Sequence, residues 1–539
     1  MRYLSCLLFV VCVSQLTSVV EADQRPNILF AFADDWGRHA SAYAKIDGTG
    51  TENDVIRTPN FDALAKSGVL FRNAFINSPS CTPCRSSIIS GQHFWRTGRG
   101  AILQGAIWDP SIPAWPLLLK KSGYHIGFSF KVWSPGSPPN AGYGGYKNAY
   151  HQAGYRFNGF SQTVTKLSQQ GKSIEQAKKI LGDEVRGNLQ AFLAKKKKDA
   201  PFAYWFGPTN VHRKWIKGSG REIWGINPDD LKGKLPPYLP DVPAVRQDFA
   251  DYLGEAQAFD MSLGILVDEL KKAGEFENTI IAISGDHGPA GFPHGKCNLY
   301  DFGSRVALTL TGPGINGGRV VDDFVSLPDL APTFLDAGRV KPPEVMTAKT
   351  LWPVLKSKAQ GLVDQKRTQV YIGRERHVAS AREGFLPYPQ RAIRTKDYLF
   401  IINFHPERFP LGDHYNLDEN STPSIDELTN NTFVTLPDED AGPTKAWLVS
   451  HRHDPIWKPY FDHAYGKRPR EELFDLRNDS DQMNNVAANA KYKKIADRLR
   501  KKLMHELRTT GDPRVVDNGK YFETPPLAGP LPPRPKKKK

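Results

Sequence analysis

Cysteine is scarce in this chain, five among 539 residues, and two of them, Cys6 and Cys12, fall in the first 22 positions. The remainder, Cys81, Cys84 and Cys297, are an odd number, which excludes a framework built on disulfides alone. Long apolar runs are also missing. Past the N-terminus no stretch approaches about 18 consecutive apolar residues, the length that marks a membrane-spanning helix. No internal repeat is present. Charge is unbalanced, with 72 Lys and Arg against 57 Asp and Glu and a formal charge of +15. Such a surface attracts anions, whether polyanionic glycans, nucleic acid or membranes. The runs Lys195 to Lys198 and Lys536 to Lys539 read as solvated surface rather than parts of a site.

At this length one large domain plus a smaller one is the natural expectation. Met1 to Ala22 has one early charge, Arg2, an apolar run from Leu4 to Val13, and Val20-Glu21-Ala22 before Asp23. This is the pattern of a secretory signal peptide, so the mature protein is expected to be exported and soluble.

Short continuous apolar runs recur along the next 340 residues. Asn27 to Ala33, Val69 to Phe75, Tyr124 to Phe130, Pro201 to Gly207 and Thr279 to Ser284 read as strands buried on both faces. Helices are expected over Asn60 to Ser67, capped by Thr58 or Asn60 and stopped by Gly68, over Trp115 to Lys120, and on the surface over Ser173 to Lys195. From Val245 to Gly274 apolar residues recur at helical spacing, a stripe that belongs to a core. The stretch Ser134 to Gly145, rich in Pro, Gly and Ser, reads as a long loop.

The stretch around which the chain is organised is Ser80-Cys81-Thr82-Pro83-Cys84-Arg85, ending at Gly91. Pro83 suits a first helical turn and Gly91 a helix end, so Cys81 is expected at a helix N-terminus, where the dipole lowers a thiol's pKa. A redox pair or half of a zinc site is the alternative. Neither a thioredoxin-like context nor a second C-x-x-C or His pair accompanies it.

The other chemistry-bearing residues share one placement. Asp34 and Asp35, Lys131, His212, and Asp286 with His287 all follow directly or closely on apolar strands separated by helices. In an open α/β sheet that edge is where ligands bind, so these residues are expected to converge. Beyond about residue 360 strand-like pieces such as Gln369 to Ile372 and Tyr398 to Asn403 alternate with polar, Pro-rich loops, and Lys491 to Leu507 reads as a helix. The expected division is a signal peptide over 1–22, an α/β domain over 23–360, a smaller α+β domain with an antiparallel sheet over 361–520, and a disordered Pro/Lys-rich tail over 521–539.

These residues resemble the sulfatase family of the alkaline-phosphatase superfamily. Its signature of Cys or Ser, any residue, Pro, a small residue and Arg stands here as Cys81-Thr82-Pro83-Cys84-Arg85. Asp34-Asp35-Trp36-Gly37 and Ser284-Gly285-Asp286-His287-Gly288 extend the likeness. Asn298-Leu299-Tyr300, Tyr388 to Ala392, Glu472 to Asp475 and Gly511-Asp512-Pro513 carry it over nearly the whole mature chain, toward the heparan N-sulfatase branch. The resemblance implies a mixed sheet flanked by helices and a hydrolase of sulfate esters or sulfamates on saccharides, with sulfated saccharide rather than nucleic acid as its partner. It implies that a maturation enzyme converts Cys81 to formylglycine, whose hydrate is the nucleophile. It further implies that Asp34, Asp35, Asp286 and His287 hold one divalent cation, calcium with magnesium or manganese as alternatives, which also touches the modified Cys81. Arg85 then orients the nucleophile, Lys131 and Lys296 bind sulfate oxygens, and His212 protonates the leaving atom.

Three positions depart from the family pattern. Trp133 stands where a histidine is usual two residues past the lysine, and Arg376 or His377 is the expected substitute for substrate or nucleophile contacts. Cys84 replaces the commoner serine and permits a Cys81 to Cys84 disulfide in unmatured protein. His287 replaces asparagine, and imidazole is a less usual calcium ligand than oxygen. Two other readings use the same residues, a phosphate or phosphonate ester hydrolase and a non-catalytic binder of sulfated glycans.

Overall fold

The computed structural model describes residues 25–525 and 527. The expected signal peptide and most of the expected tail lie outside the described residues. A seven-stranded sheet forms the body of the molecule. It comprises β1 (Asn27–Ala33), β2 (Val69–Phe75), β3 (His125–Phe130), β4 (Phe202–Gly207), β5 (Thr279–Gly285), β6 (Leu308–Thr311) and β7 (Arg319–Ser326). Their order across the sheet is β3-β4-β1-β5-β6-β2-β7. All neighbours are parallel except β6, which runs antiparallel to both β5 and β2.

β1 shows why the run reads as continuously apolar. Ile28, Phe30 and Phe32 enter the core on one face of the sheet, and Leu29, Ala31 and Ala33 enter the core on the other. Successive side chains point to opposite faces, so a strand covered on both sides leaves no position for a polar residue. One face is covered by the helices Cys81–Ser90, Trp115–Lys121 and Leu330–Ala337. The other is covered by Pro59–Ser67, Ile174–Ala194 and Pro243–Lys272. The Ile174–Ala194 helix is less superficial than expected, because Leu181, Val185, Leu189 and Phe192 are buried in that second core. Pro59–Ser67 begins at Thr58, whose side chain makes no cap hydrogen bond to the helix.

A second, antiparallel sheet has the order β11-β10-β9-β8, with β8 (Gln369–Arg374), β9 (Gln390–Thr395), β10 (Tyr398–Asn403) and β11 (Glu471–Asp475). Ile393, Phe400, Ile402 and Leu473 pack on Ala496, Leu499, Leu503 and Leu507 of the helix Lys493–Thr509. Ile372, Ala392, Leu399 and Ile401 join the core of the first sheet. The fold is the alkaline-phosphatase-like mixed sheet with an additional antiparallel sheet that the sequence led us to expect. The start of the expected tail needs correction. Lys520–Glu523 is helical and Phe522 is buried, so residues 521–525 belong to the folded body. Among the described residues no helix is long and apolar enough to cross a membrane.

Candidate active site

Cys81 is the first residue of the helix Cys81–Ser90, which ends at Gly91 in the left-handed conformation, φ 65°. Every residue of this helix is buried. Ile88 and Ile89 anchor it in the core, at roughly 1.5–3 kcal/mol for each fully buried side chain. The sheet therefore fixes where Cys81 points.

The ends of the parallel strands supply the other groups. Asp34 and Asp35 follow β1, Asp286 and His287 follow β5, and Lys131 follows β3. Asp35 takes a left-handed backbone, φ 55°, and its N–H donates to Asp286 Oδ1 at 2.8 Å, tying the two strand ends together. Arg85 reaches under them from the helix. Its Nε meets Asp286 Oδ2 at 3.0 Å, its Nη2 meets Asp34 Oδ1 at 3.0 Å, and its Nη1 donates to the carbonyls of Lys131 and Val132. Lys131 Nζ lies 2.7 and 2.8 Å from the two oxygens of Asp34. Burial works to raise the Asp34 carboxyl, but Lys131 and Arg85 outweigh it and hold it well below its ordinary value.

His287 Nδ1 lies 3.0 Å from the Gly288 carbonyl, which fixes the proton there and leaves a lone pair on Nε2. That Nε2 lies 3.4 Å from Asp35 Oδ1, 3.5 Å from Asp286 Oδ1 and 3.4 Å from Cys81 Sγ. Asp35 Oδ1 is buried without a hydrogen-bond partner. A lone pair facing two carboxylate oxygens at this range is repulsive unless a cation lies between them. Possible ligand atoms form three overlapping groups, Asp35 with Cys81 and His287, Asp34 with Cys81 and Asp286, and Asp34 with Asp35 and His212, the atoms of each group lying within 4.8 Å of one another. A carboxylate-rich donor set of this kind, with an imidazole at its side, fits a divalent cation.

The expectation of a low-pKa thiol is corrected. Burial, and after it the charge of Asp34, pushes Cys81 well above the ordinary thiol value, so the helix terminus does not yield a thiolate. Among the described residues Cys81, Cys84 and Cys297 are free and buried, with no Cys81 to Cys84 disulfide.

The cluster opens into a cleft of about 580 Å³ whose lining includes Cys81, Lys131, His212, Lys296 and His377. His212 donates from Nδ1 to the Arg213 carbonyl at 2.6 Å, leaving Nε2 3.1 Å from Lys296 Nζ and 3.8 Å from Asp35 Oδ2. Lys296 lies 3.3 Å from Asp35 Oδ1, and its ammonium pKa rises because Asp35 and Asp440 outweigh the effect of burial. His377 Nδ1 meets Ser80 Oγ, next to Cys81, at 2.8 Å, and burial drops its pKa to about 3. Arg376 is not brought into the cleft lining. Its guanidinium donates to the carbonyls of Gln104 and Pro525, which corrects the expectation of a substrate contact. Trp133 is fully buried, donates to Ser86 Oγ at 2.7 Å and packs edge-on against Trp108. Its position has become part of the core. A smaller cavity of about 310 Å³ beside Arg38, Asp301 and Arg305 contains none of these groups.

Asp440 is the lining residue that sequence reasoning missed. It lies 3.3 Å from Lys296 Nζ and sits at the end of Asp438-Glu439-Asp440, three acids in succession. That run in a basic chain was the available signal.

The chain is similar to known proteins along most of its length. Human N-sulphoglucosamine sulphohydrolase is 26% identical over 516 residues, covering 91% of each chain. Two solved structures share the fold, each with a TM-score of 0.58. BT4656, in complex with its substrate D-glucosamine-2-N,6-O-disulfate, is 18% identical and covers 90% of this chain and 98% of its own. The phosphonate monoester hydrolase SpPMH from Silicibacter pomeroyi is 17% identical and covers 90% and 96%. The sulfatase family model matches residues 26–340, more than half of the chain, and the protein belongs to the sulfatase family of hydrolases.

Proposed function

We propose that this protein is an exported sulfohydrolase that removes sulfate from sulfated saccharides of the glycosaminoglycan kind, cleaving sulfate esters or sulfamates. The observation that carries the reading is the Cys81 side chain within overlapping three-residue groups of possible metal ligands, with Lys131, Lys296, His212 and His377 lining the same cleft. The name of the human relative and the ligand of the BT4656 complex support the substrate class.

Asp34, Asp35, Asp286 and His287 would hold a divalent cation, calcium in the first instance, which supplies positive charge to the sulfo group and the nucleophile when bound. A maturation enzyme would convert Cys81 to formylglycine, whose hydrate supplies two hydroxyls on one carbon, one to attack sulfur and one to expel sulfate afterwards. A high-pKa, buried thiol fits a precursor awaiting modification better than a nucleophile in its own right.

The remaining steps fall to side chains of this chain. Arg85 clamps Asp34 and Asp286 and so fixes the strand ends around residue 81. Lys131 and Lys296 face the cleft and bind the sulfo oxygens, whose diffuse charge calls for positioned cations. His212, whose Nε2 accepts from Lys296 at rest, is assigned the relay of a proton to the leaving atom. With Trp133 committed to the core, His377, bonded to Ser80 beside residue 81 and lining the cleft, is assigned the contact to nucleophile or substrate.

The test is sulfate release by matured enzyme from N-sulfated, 2-O-sulfated and 6-O-sulfated saccharides. Release from at least one is expected. Turnover of phosphate or phosphonate esters with none of these would overturn the reading in favour of the phosphoesterase alternative, and binding without turnover would favour a glycan-binding role.

A further inference from the structure

We infer that the ion pair of Arg213 with Asp248 positions His212, so that proton delivery to the leaving atom depends on two side chains that take no part in the reaction themselves. This rests on the sulfatase reading of the cleft given above.

His212 needs an anchor that the other site residues do not. Asp34, Lys131 and Asp286 each follow their strands directly, whereas β4 ends at Gly207 and the chain runs on without helix or strand to His212. The His212 side chain is 31% exposed, so packing alone does not hold the ring. Its Nδ1 donates to the Arg213 carbonyl at 2.6 Å, which fixes the tautomer and leaves Nε2 to accept from Lys296 at 3.1 Å. The ring is thus aimed by the place of one backbone carbonyl. That carbonyl is held by the Arg213 side chain. Nη1 and Nη2 meet Asp248 Oδ1 and Oδ2 at 2.8 and 2.7 Å, and Nε donates to the Ala290 carbonyl at 2.7 Å. The guanidinium lies over the rings of Trp215 and Phe292, 4.1 and 4.8 Å from their centroids. Asp248 also accepts from the Thr444 N–H at 3.1 Å and from its hydroxyl at 2.7 Å.

The pair joins three segments. The helix Pro243–Lys272 supplies Asp248, the loop after β5 supplies Ala290, and the helix Pro443–Ser450 supplies Thr444. A Cβ at Gly291 or at Gly442 would lie 2.4 Å from the guanidinium, so the backbone closes on it from two sides. Arg213 belongs to the cleft lining, yet its side chain is 5% exposed and each of its three guanidinium nitrogens has a protein partner, so it is not available to a sulfo group. A forked arginine–carboxylate pair fixes direction as well as distance. Proton transfer requires its donor within hydrogen-bond reach of the leaving atom, and a misplacement of about 1 Å costs about a hundredfold in rate. The anchor is therefore felt where the leaving group needs a proton. As the S–O bond breaks with its electron pair going to oxygen, a sugar alkoxide must take up a proton, whereas a nitrophenolate is stable without one.

The test compares matured wild type with Asp248→Asn, which changes no side chain lining the cleft, on nitrophenyl sulfate and on the saccharide of the panel above that wild type desulfates fastest. The expected result is a saccharide-to-nitrophenyl ratio of kcat/KM lowered about tenfold to a hundredfold. The ratio is taken within one sample and so is independent of the folded fraction. Thr444→Val, which removes one hydrogen bond and keeps the ion pair, should lower it less. His212→Ala should lower it at least as far as Asp248→Asn, and the double variant no further, because a positioning residue acts only through the residue it positions. In imidazole nitrogen NMR His212 should carry its proton on Nδ1 in wild type and exchange between tautomers in Asp248→Asn, a readout that needs no substrate. An unchanged ratio or an unchanged tautomer in Asp248→Asn, or a further fall when it is added to His212→Ala, overturns the proposal and leaves the sulfatase reading standing. Sulfate release from neither substrate by wild type overturns the sulfatase reading itself.

Discussion

Replacing Arg85 by methionine removes the cation that holds three strand ends together. The guanidinium is fully buried and pairs with Asp286 and Asp34 at 3.0 Å each, while also satisfying the carbonyls of Lys131 and Val132. In the variant Asp34 keeps Lys131, but Asp286 keeps only the Asp35 N–H. Leaving a buried carboxylate without its partner costs about 3–5 kcal/mol, against a total stability of about 5–15 kcal/mol for a typical domain. Arg85→Lys should lose less, because it keeps the charge while losing the fork that spans both carboxylates. A divalent cation among the same carboxylates offsets part of the loss, so the deficit should be larger in chelator than in millimolar calcium. Urea unfolding followed by tryptophan fluorescence reads this directly. A loss below about 1 kcal/mol in chelator, or an identical loss with and without cation, would refute the clamp and the shared metal site together.

Three further outcomes follow from the same geometry. Trp133→Phe should lower stability by about 1–2 kcal/mol through loss of the Ser86 hydrogen bond and some packing, with kcat/KM nearly unchanged, whereas a fall in turnover comparable to that of a catalytic variant would contradict its assignment to the core. His377, with its pKa lowered to about 3, is neutral in the folded protein while the unfolded chain takes up a proton near pH 6.5. Unfolded chains thus bind more protons across that interval, so stability should rise with pH between about 3 and 6.5, and His377→Gln should flatten that slope in denaturant titrations. Chelation should lower the melting temperature of wild type reversibly, with recovery on adding calcium, magnesium or manganese ranking the metals; no response to chelator would count against a bound cation.

Much of the arrangement was legible in the chain itself. Strands such as β1 declare themselves because burial on both faces permits only apolar residues, and the polar residue that ends such a run must sit at the sheet edge. Four separate runs therefore announced Asp34, Asp35, Lys131, His212, Asp286 and His287 as neighbours before any geometry was known. The Pro83 and Gly91 pair announced the helix in the same way. What was not legible depends on burial and on loops. The helix dipole argued for an acidic Cys81 thiol, but desolvation and the Asp34 charge dominate, and neither can be read from local sequence. Arg376 looked available because nothing nearby in sequence binds it, yet its partners are Gln104 and Pro525, more than 140 residues away in both directions. Asp440 escaped because its loop has no period, and its position is set by Lys445, which donates to the carbonyls of Thr435 and Glu439, and by Asp438, paired with Arg374, rather than by a strand end.

The mass of the peptide containing residue 81 tests the central claim most directly. In protein co-produced with a formylglycine-generating enzyme, replacing the CH₂SH group by an aldehyde should lower that mass by about 18 Da, and sulfate release should scale with the modified fraction. Full activity with an unmodified Cys81 peptide, or activity surviving in Cys81→Ala, would contradict the account.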